Sequence, residues 1–213
     1  MSQPTELVIW DMDGTLINSA GAVPDAFIAA AESMGKFGYS RQDVIELYGL
    51  GVPENVVAHM IGATASSATM NVFYDALQAN SSSVRTYDGI PVCLAELHGG
   101  AKQAVFTGAS QRSAEILLNS IGIAQHFDFI LGGDGYPPKP DPSALVGLAE
   151  KFGVTTTRCA YIGDAVTDIQ AANSAKMLSI AAGWGHLYVA DMGSKHIAET
   201  PNQLGVLLGI GAV

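Results

Sequence analysis

Residues 7–19 read LVIWDMDGTLINS. The apolar run Leu7, Val8, Ile9, Trp10 has the unbroken hydrophobicity of a parallel strand buried on both faces. It ends at two aspartates, Asp11 and Asp13, with Gly14 and Thr15 directly behind. In an open α/β sheet, ligands bind at the loops leaving the carboxyl ends of the strands. Gly14 permits a tight turn and a close backbone approach, and successive N–H groups in such a turn form a nest for an anion. Two acids beside an anion nest contribute little to packing. They make chemical sense if one attacks an electrophile, the other handles a proton and a cation holds both. Asp, Gly and Thr are also ordinary turn residues, so the assignment depends on what the rest of the chain brings to the same edge.

A chain of 213 residues suffices for one domain with a full core, or for a core with a smaller insert. Hydrophobic residues make up 48% and charged residues 14%, which excludes a disordered chain. The formal charge of −10 argues against nucleic acid or an anionic membrane as partner, since either requires a basic face. An acidic protein that takes an anionic substrate must supply positive charge locally. Cys93 and Cys159 sit in apolar surroundings and read as buried free thiols, the pattern of a reducing cytoplasm. The start, MSQPTE, has neither a basic region nor an apolar core of a signal peptide. No apolar run is long enough to span a membrane, and the C-terminal LGVLLGIGAV suits a docked terminal helix.

After Ser19 the pattern becomes helical and stays so to about residue 84. Pro24 opens a first helix with Ala26, Phe27, Ala30 and Ala31 on one face. Ser40, with Asp43 three residues on, caps a second. Pro53 opens a third after the glycine-bearing loop 48–53, and residues 66–79 form a fourth. Strand–helix alternation then begins. Strands are predicted at 103–106, 127–131, 159–162 and 177–181, and helices at 111–121, 143–152 and 168–175. The alternation predicts an α/β fold, a doubly wound, mainly parallel, Rossmann-like sheet with right-handed crossovers. The helical block interrupts it as an inserted α-helical cap over the carboxyl edge. The expected division is a catalytic core of residues 1–16 and 86–213 and a cap of residues 17–85.

Four strand ends carry polar residues: Asp11 and Asp13; Thr107; the segment before Lys139; and Asp164 with Asp168. In a parallel sheet these ends share one edge, so the fold gathers four carboxylates, a hydroxyl and an amine. Clustered carboxylates repel unless cations intervene. Lys139 and a divalent cation are the natural neutralisers, and an oxygen-rich, incomplete protein shell suits Mg²⁺. The five histidines show no ligand spacing and read as structural or surface residues; Asp134 is a candidate neighbour of the site.

The four segments Asp11-Met12-Asp13-Gly14-Thr15, Val105-Phe106-Thr107-Gly108, Lys139-Pro140-Asp141-Pro142 and Gly163-Asp164-Ala165-Val166-Thr167-Asp168 stand in the order of the haloacid dehalogenase superfamily motifs. The chain resembles that superfamily over essentially its whole length, including Trp184-Gly185 after the fifth strand. It resembles most the group with a helical cap after the first motif, and within it the phosphoglycolate phosphatase-like enzymes. The resemblance implies a Mg²⁺-dependent phosphatase acting on a small phosphorylated metabolite such as phosphoglycolate or a sugar phosphate. It implies Asp11 as nucleophile, giving an aspartyl-phosphate, and Asp13 as acid then base. It further implies Asp11, the Asp13 carbonyl and Asp164 as metal ligands, and Asp168 as a metal ligand or as the residue orienting Lys139, the latter favoured. By the same resemblance, Thr107 and the Gly108 N–H would hold the phosphoryl oxygens at a helix N-terminus, and Lys139 would neutralise charge on Asp11 and the phosphoryl group. An acid at position 13 separates the chain from phosphonate-cleaving, dehalogenating and ATP-driven transport relatives. A phosphomutase of the same fold and a non-enzymatic phospho-aspartate switch are the alternatives. The loop 48–53 is expected to face the site. Lys36, Arg41 and Arg85 are the cations of the cap region, each read first as a solvated surface residue. Nothing in the sequence decides between monomer and homodimer.

Overall fold

The computed structural model describes residues 4–210. Three residues of the start that bear on a leader, and the last three of the apolar tail, lie outside the described residues. A six-stranded sheet organises the chain. Its strands are β1 (Leu7–Trp10), β4 (Lys102–Phe106), β5 (Phe129–Leu131), β6 (Cys159–Gly163), β7 (Leu178–Ala182) and β8 (His196–Ala198). They run in the order β5-β4-β1-β6-β7-β8, and every neighbouring pair is parallel. A second, two-stranded antiparallel ribbon joins β2 (Ile17–Asn18) to β3 (Arg85–Thr86), with Asn18 opposite Arg85.

β1 lies between β4 and β6, which is why its four residues are all apolar and all fully buried. The two-residue period splits them between two cores. Val8 and Trp10 join Val105 and Ile162 on one face; Leu7 and Ile9 join Phe106, Tyr161, Leu145 and Leu148 on the other. Helices α7 (Ser143–Phe152) and α8 (Val166–Ser174) contribute to the second face, α5 (Ile90–Leu97) and α6 (Gln111–Ser120) to the first. Among the described residues of the apolar tail, read as a docked terminal helix, only the single turn α9 (Leu204–Leu207) is helical.

The inserted block holds α1 (Ala22–Ser33), α2 (Arg41–Glu46), α3 (Pro53–Ile61) and α4 (Ser67–Asn80), all between the two strands of the ribbon. Its apolar faces, including Phe27, Val57, Phe73 and Leu77, are continuous with the first core. It also meets α6, where the Tyr74 hydroxyl lies 3.0 Å from that of Ser110 and the Arg112 guanidinium stacks 4.1 Å from the Tyr74 ring centre. No helix among the described residues is long and apolar enough to cross a membrane. Cys93 and Cys159 are buried free thiols, and burial pushes both up to about 12.

Apart from the terminal helix, the expected helices and strands are present with ends shifted by one or two residues. Three features escape sequence reading. α5 is a short, nearly all-apolar segment with no clear period, introduced by Gly89 in the left-handed region. β8 is a three-residue edge strand, and the ribbon pairs residues too distant in sequence to leave a local pattern. Helix α2 shows the opposite case. The Ser40 hydroxyl accepts from the Asp43 N–H at 3.2 Å, and the Asp43 carboxylate accepts from the Ser40 N–H at 2.7 Å. That pair also holds the Asp43 carboxyl below its ordinary value, chiefly through the Ser40 backbone N–H. Ser40→Ala is expected to lower stability by about 1 kcal/mol, read as a smaller denaturant midpoint at unchanged m-value.

Candidate active site

The Asp11 N–H donates to the Ile162 carbonyl at 2.8 Å, carrying the β1–β6 pairing one residue past the strand and aiming Asp11 across the carboxyl edge. The chain then turns on itself, with the Gly14 N–H bonded to Ile17 and the Leu16 N–H to Met12. Gly14 has φ of +85°, and a Cβ there would lie 2.2 Å from an Asp164 carboxylate oxygen. No other residue could pass so close. Gly185 approaches as closely, and a Cβ there would lie 2.1 Å from the Asp164 Cβ. Asp164, fully buried at the end of β6, is thus held in a slot lined by two glycines. Its carboxylate accepts the Leu187 N–H at 2.9 Å and the Thr15 hydroxyl at 3.5 Å.

Lys139 reaches the site from the loop after β5. Its Nζ lies 2.6 Å from Asp11 Oδ1, 2.6 Å from Asp168 Oδ1 and 3.2 Å from the Tyr161 hydroxyl. The Tyr161 oxygen accepts from Lys139. Its single proton goes to Asp168 Oδ1 at 3.2 Å or to the Phe106 carbonyl at 3.1 Å. The other Asp168 oxygen accepts the Ala165 N–H at 3.0 Å, closing the first turn of α8. Asp168 therefore has both oxygens engaged by the protein, the arrangement of a residue that positions Lys139.

Burial pushes the Asp11 carboxyl well above its ordinary value; Lys139 pulls it down, while Asp168 and Asp164 push it up again. Burial likewise raises Asp164 against the opposing Leu187 N–H, and Asp168 adds to the rise. Burial acts to lower Lys139, but the charges of Asp11 and Asp168 outweigh it and hold the amine well above its ordinary value. Lys139 is accordingly a firm cation inside the protein. Asp13 is less buried and turns its carboxylate to the Ser19 hydroxyl. Burial raises it too, opposed by the Ser19 hydrogen bond and by the more distant His186 and Lys139.

One ammonium thus faces four carboxylates. Oxygens of Asp11, Asp164 and Asp168 lie within 4.8 Å of one another. An all-oxygen, under-neutralised donor set fits a hard divalent cation. Asp11 and Asp164 are its natural side-chain ligands, because Asp168 is committed elsewhere.

Of the residues singled out in the sequence, Asp11, Lys139, Asp164 and Asp168 meet directly. Asp13 stands apart from the three-carboxylate group by its side chain. Thr107 is buried one strand over, its hydroxyl accepting the Ala109 N–H at 3.2 Å, with Gly108 exposed beside it. Asp134 serves a different purpose: it accepts the Gln111 N–H at 2.8 Å and so holds the start of α6. Sequence reading missed five participants. Tyr161 was hidden in an apolar strand, opposite Ile9. Thr15 read as an ordinary turn residue, and Ser19 carried no signal of its own. Tyr87 and His186 lie 99 residues apart in sequence, with the Tyr87 hydroxyl 3.3 Å from His186 Nδ1, which is itself 4.0 Å from Asp164. His186, read from the sequence as a structural or surface residue, is half exposed and stands at the rim of the site. The only local signal was its proximity to Trp184-Gly185, whose indole N–H donates to the Thr15 carbonyl at 2.9 Å.

The family model described as haloacid dehalogenase-like hydrolase matches residues 8–182. A phosphoglycolate phosphatase of Pseudomonas fluorescens strain Pf0-1 is 31% identical over 199 residues, covering 86% of this chain and 72% of the relative. A phosphoglycolate phosphatase of Vibrio parahaemolyticus is 28% identical, covering 99% of this chain and 98% of the relative. The crystal structure of CbbY from Rhodobacter sphaeroides in complex with phosphate superposes with a TM-score of 0.81 at 20% identity, covering 94% and 96% of the two chains. That last likeness is one of fold.

Removing Lys139 leaves Asp11 and Asp168 buried without their counter-charge, so the Asp11 carboxyl rises further. A carboxyl whose folded value lies above its unfolded value of about 3.9 favours the fold only while protonated, and this stability is lost as pH rises. In chelator, Lys139→Met is expected to be destabilised by about 3–5 kcal/mol at pH 8, with the deficit shrinking toward pH 5. Denaturant titrations of both proteins at the two pH values measure it.

Proposed function

The chain belongs to the haloacid dehalogenase-like hydrolase family, and on that premise we propose that it is a phosphatase that hydrolyses a small phosphomonoester through an aspartyl-phosphate on Asp11, with Mg²⁺ as its cation. The observation that carries this reading is the Lys139 bridge: a buried ammonium at 2.6 Å from Asp11 Oδ1 leaves the second Asp11 oxygen on the edge of the sheet, beside an under-neutralised acidic cluster. Mg²⁺ would be held by Asp11, Asp164 and the Asp13 carbonyl, and when bound it supplies positive charge against the phosphoryl oxygens.

In the first step an Asp11 oxygen forms a bond to phosphorus as the bond from phosphorus to the leaving oxygen breaks. The Asp13 carboxyl gives its proton to that oxygen, and burial suits it to carry the proton against the opposing Ser19 hydrogen bond, which orients the carboxyl. In the second step water attacks the aspartyl-phosphate. Asp13, now a carboxylate, takes the water proton, and the bond between phosphorus and Asp11 breaks to return free Asp11 and phosphate. Lys139 balances the charge on Asp11 and on the phosphoryl group throughout. Thr107 and the Gly108 N–H orient the phosphoryl oxygens one strand away. Asp168 and Tyr161 act by fixing the Lys139 ammonium.

Residues 17–85 act as a cap over this edge, joined to the core through the β2–β3 ribbon. The ribbon leads directly into Ser19 on one side and Tyr87 on the other, so a change in cap position is transmitted to the acid and to the rim. Closure excludes bulk water and strengthens the electrostatics of the site.

Asp11→Asn keeps the shape of the side chain and removes its nucleophilic charge. Turnover of phosphomonoesters in Mg²⁺ is expected to fall by at least about a thousandfold with unchanged circular dichroism, and chelator is expected to abolish it in the parent protein. Release of free phosphate identifies hydrolysis. An isomeric phosphate in its place would identify a mutase, and near-parental turnover by Asp11→Asn would defeat the covalent route.

A further inference from the structure

We propose that the chain carries a second anion site, in the cleft where the insert joins the β2–β3 ribbon, and that it takes a small phosphate-type oxyanion, free or as an organic phosphate. The site stands apart from the phosphatase reading above, because none of its residues belongs to the acidic cluster at the sheet edge. The cleft measures about 410 Å³, within the range of small-molecule sites. It collects residues that the sequence keeps apart: Asn18 of β2, Gly21 and Asp25 at the start of α1, Arg41 of α2, Asn80 at the end of α4 and Arg85 of β3. The ribbon sets Arg85 directly opposite Asn18.

The cleft is marked by the donors it leaves unspent. Asp25 grips Arg41 through Nε and Nη2, both at 2.7 Å, which fixes the plane of the guanidinium and leaves Nη1 without a partner among the described residues. Arg85 anchors itself through Nη1 alone, on the carbonyls of Ser82 and Val84, so its Nε and Nη2 have no partner among those residues either. Asn18 accepts the Ala20 N–H at 3.1 Å through Oδ1 and keeps its NH₂ group free. The Ser83 hydroxyl takes the backbone carbonyl of Asn80, not its side chain, which is unpartnered among the described residues. Two guanidiniums against the single carboxylate of Asp25 leave the lining with a net charge of +1, in a chain whose formal charge is −10.

Gly21 supplies the space. Its φ of −97° and ψ of −52° are open to any residue, and at the N-cap of α1 a serine, aspartate or asparagine would cap the helix better. A Cβ there would stand 3.9 Å from Arg41 Nη1, so glycine keeps the room beside that nitrogen clear. A tetrahedral oxyanion presents acceptors in several directions at once. It can take the guanidinium N–H groups in charge-assisted hydrogen bonds, the stronger kind, and the amide NH₂ groups with its remaining oxygens. A carboxylate has only two oxygens and one charge to share among the same donors. An anion bridging Arg41 to Arg85 ties α2 to the ribbon that leads into Ser19 and Tyr87.

The test is a titration of the full chain followed by proton–nitrogen NMR of its side-chain amide and guanidinium groups, with inorganic phosphate in one arm and a short alkylphosphonate in the other. Each arm is run in Mg²⁺ and again in chelator. The Asn18 and Asn80 NH₂ signals and the Arg41 and Arg85 Nε–H signals are expected to shift saturably with one dissociation constant, unchanged by chelator, whereas shifts at Thr107 and Gly108 weaken without the cation. Tighter binding of the phosphonate identifies an organic phosphate as the occupant, and tighter binding of inorganic phosphate identifies the free ion. Arg41→Gln combined with Arg85→Gln is expected to weaken binding at the cleft by at least about tenfold. Gly21→Leu, which keeps every charge and fills the space beside Arg41, is expected to weaken it severalfold. Circular dichroism and the thermal midpoint report whether each variant is folded. Absence of saturable shifts at the cleft, shifts confined to Thr107 and Gly108, or equal affinity in the parent and both variants overturns the proposal and leaves the phosphatase reading untouched.

Discussion

The Lys139 ammonium, 2.6 Å from both Asp11 and Asp168, is the interaction on which the rest of the site depends. Four carboxylates at one sheet edge are an electrostatic burden that burial makes worse. The ammonium offsets part of it and ties the end of β1 to the start of α8 through a loop that leaves β5. Tyr161 completes the arrangement by accepting from Lys139 while its own proton goes to Asp168 or to the Phe106 carbonyl. The residue proposed to attack phosphorus and the residue that orients the cation therefore share one counter-charge. The deficit that remains is the physical case for a hard metal ion.

The second constraint is steric. Asp164 can stand at the centre of the site because Gly14 and Gly185 present no side chains to it. The first belongs to the turn after β1, the second to the segment after β7, and each is held by its neighbours: Gly14 by its bond to Ile17, the other segment by the indole of Trp184 on Thr15. The loop after β7 thereby becomes a wall of the site and brings His186 and Leu187 to Asp164. The sheet order makes this closure natural, since β6 lies between β1 and β7 and its end is flanked by the loops of both.

The inserted helices extend the first core and end in contacts of a different character. Phe27 and Phe73 bind the insert to the interior, whereas Tyr74, Ser110 and Arg112 meet at a polar, partly open seam on α6. A seam of hydrogen bonds and one cation–π contact is easier to open than an apolar core. Among the cations of the insert, Arg41 pairs with Asp25 on an exposed surface and Arg85 donates to the carbonyls of Ser82 and Val84.

Much of this was legible in order along the chain. The unbroken apolar run of β1 required burial on both faces. The ends of β1, β4 and β6 and the loop after β5 were marked by Asp11, Thr107, Asp164 and Lys139, and Ser40 with Asp43 marked a helix start. Such signals are local, because periodicity, caps and turns arise among residues within a few positions of each other. The tertiary structure alone decided what distance in sequence conceals: the two-residue ribbon, the edge strand β8, Tyr161 as a partner of Lys139, and His186 beside Tyr87. It also decided that Asp168 spends both oxygens within the protein and that Asp134 holds α6. Each of these is a matter of where a side chain points after the sheet has closed, and nothing in the neighbouring residues specifies that direction.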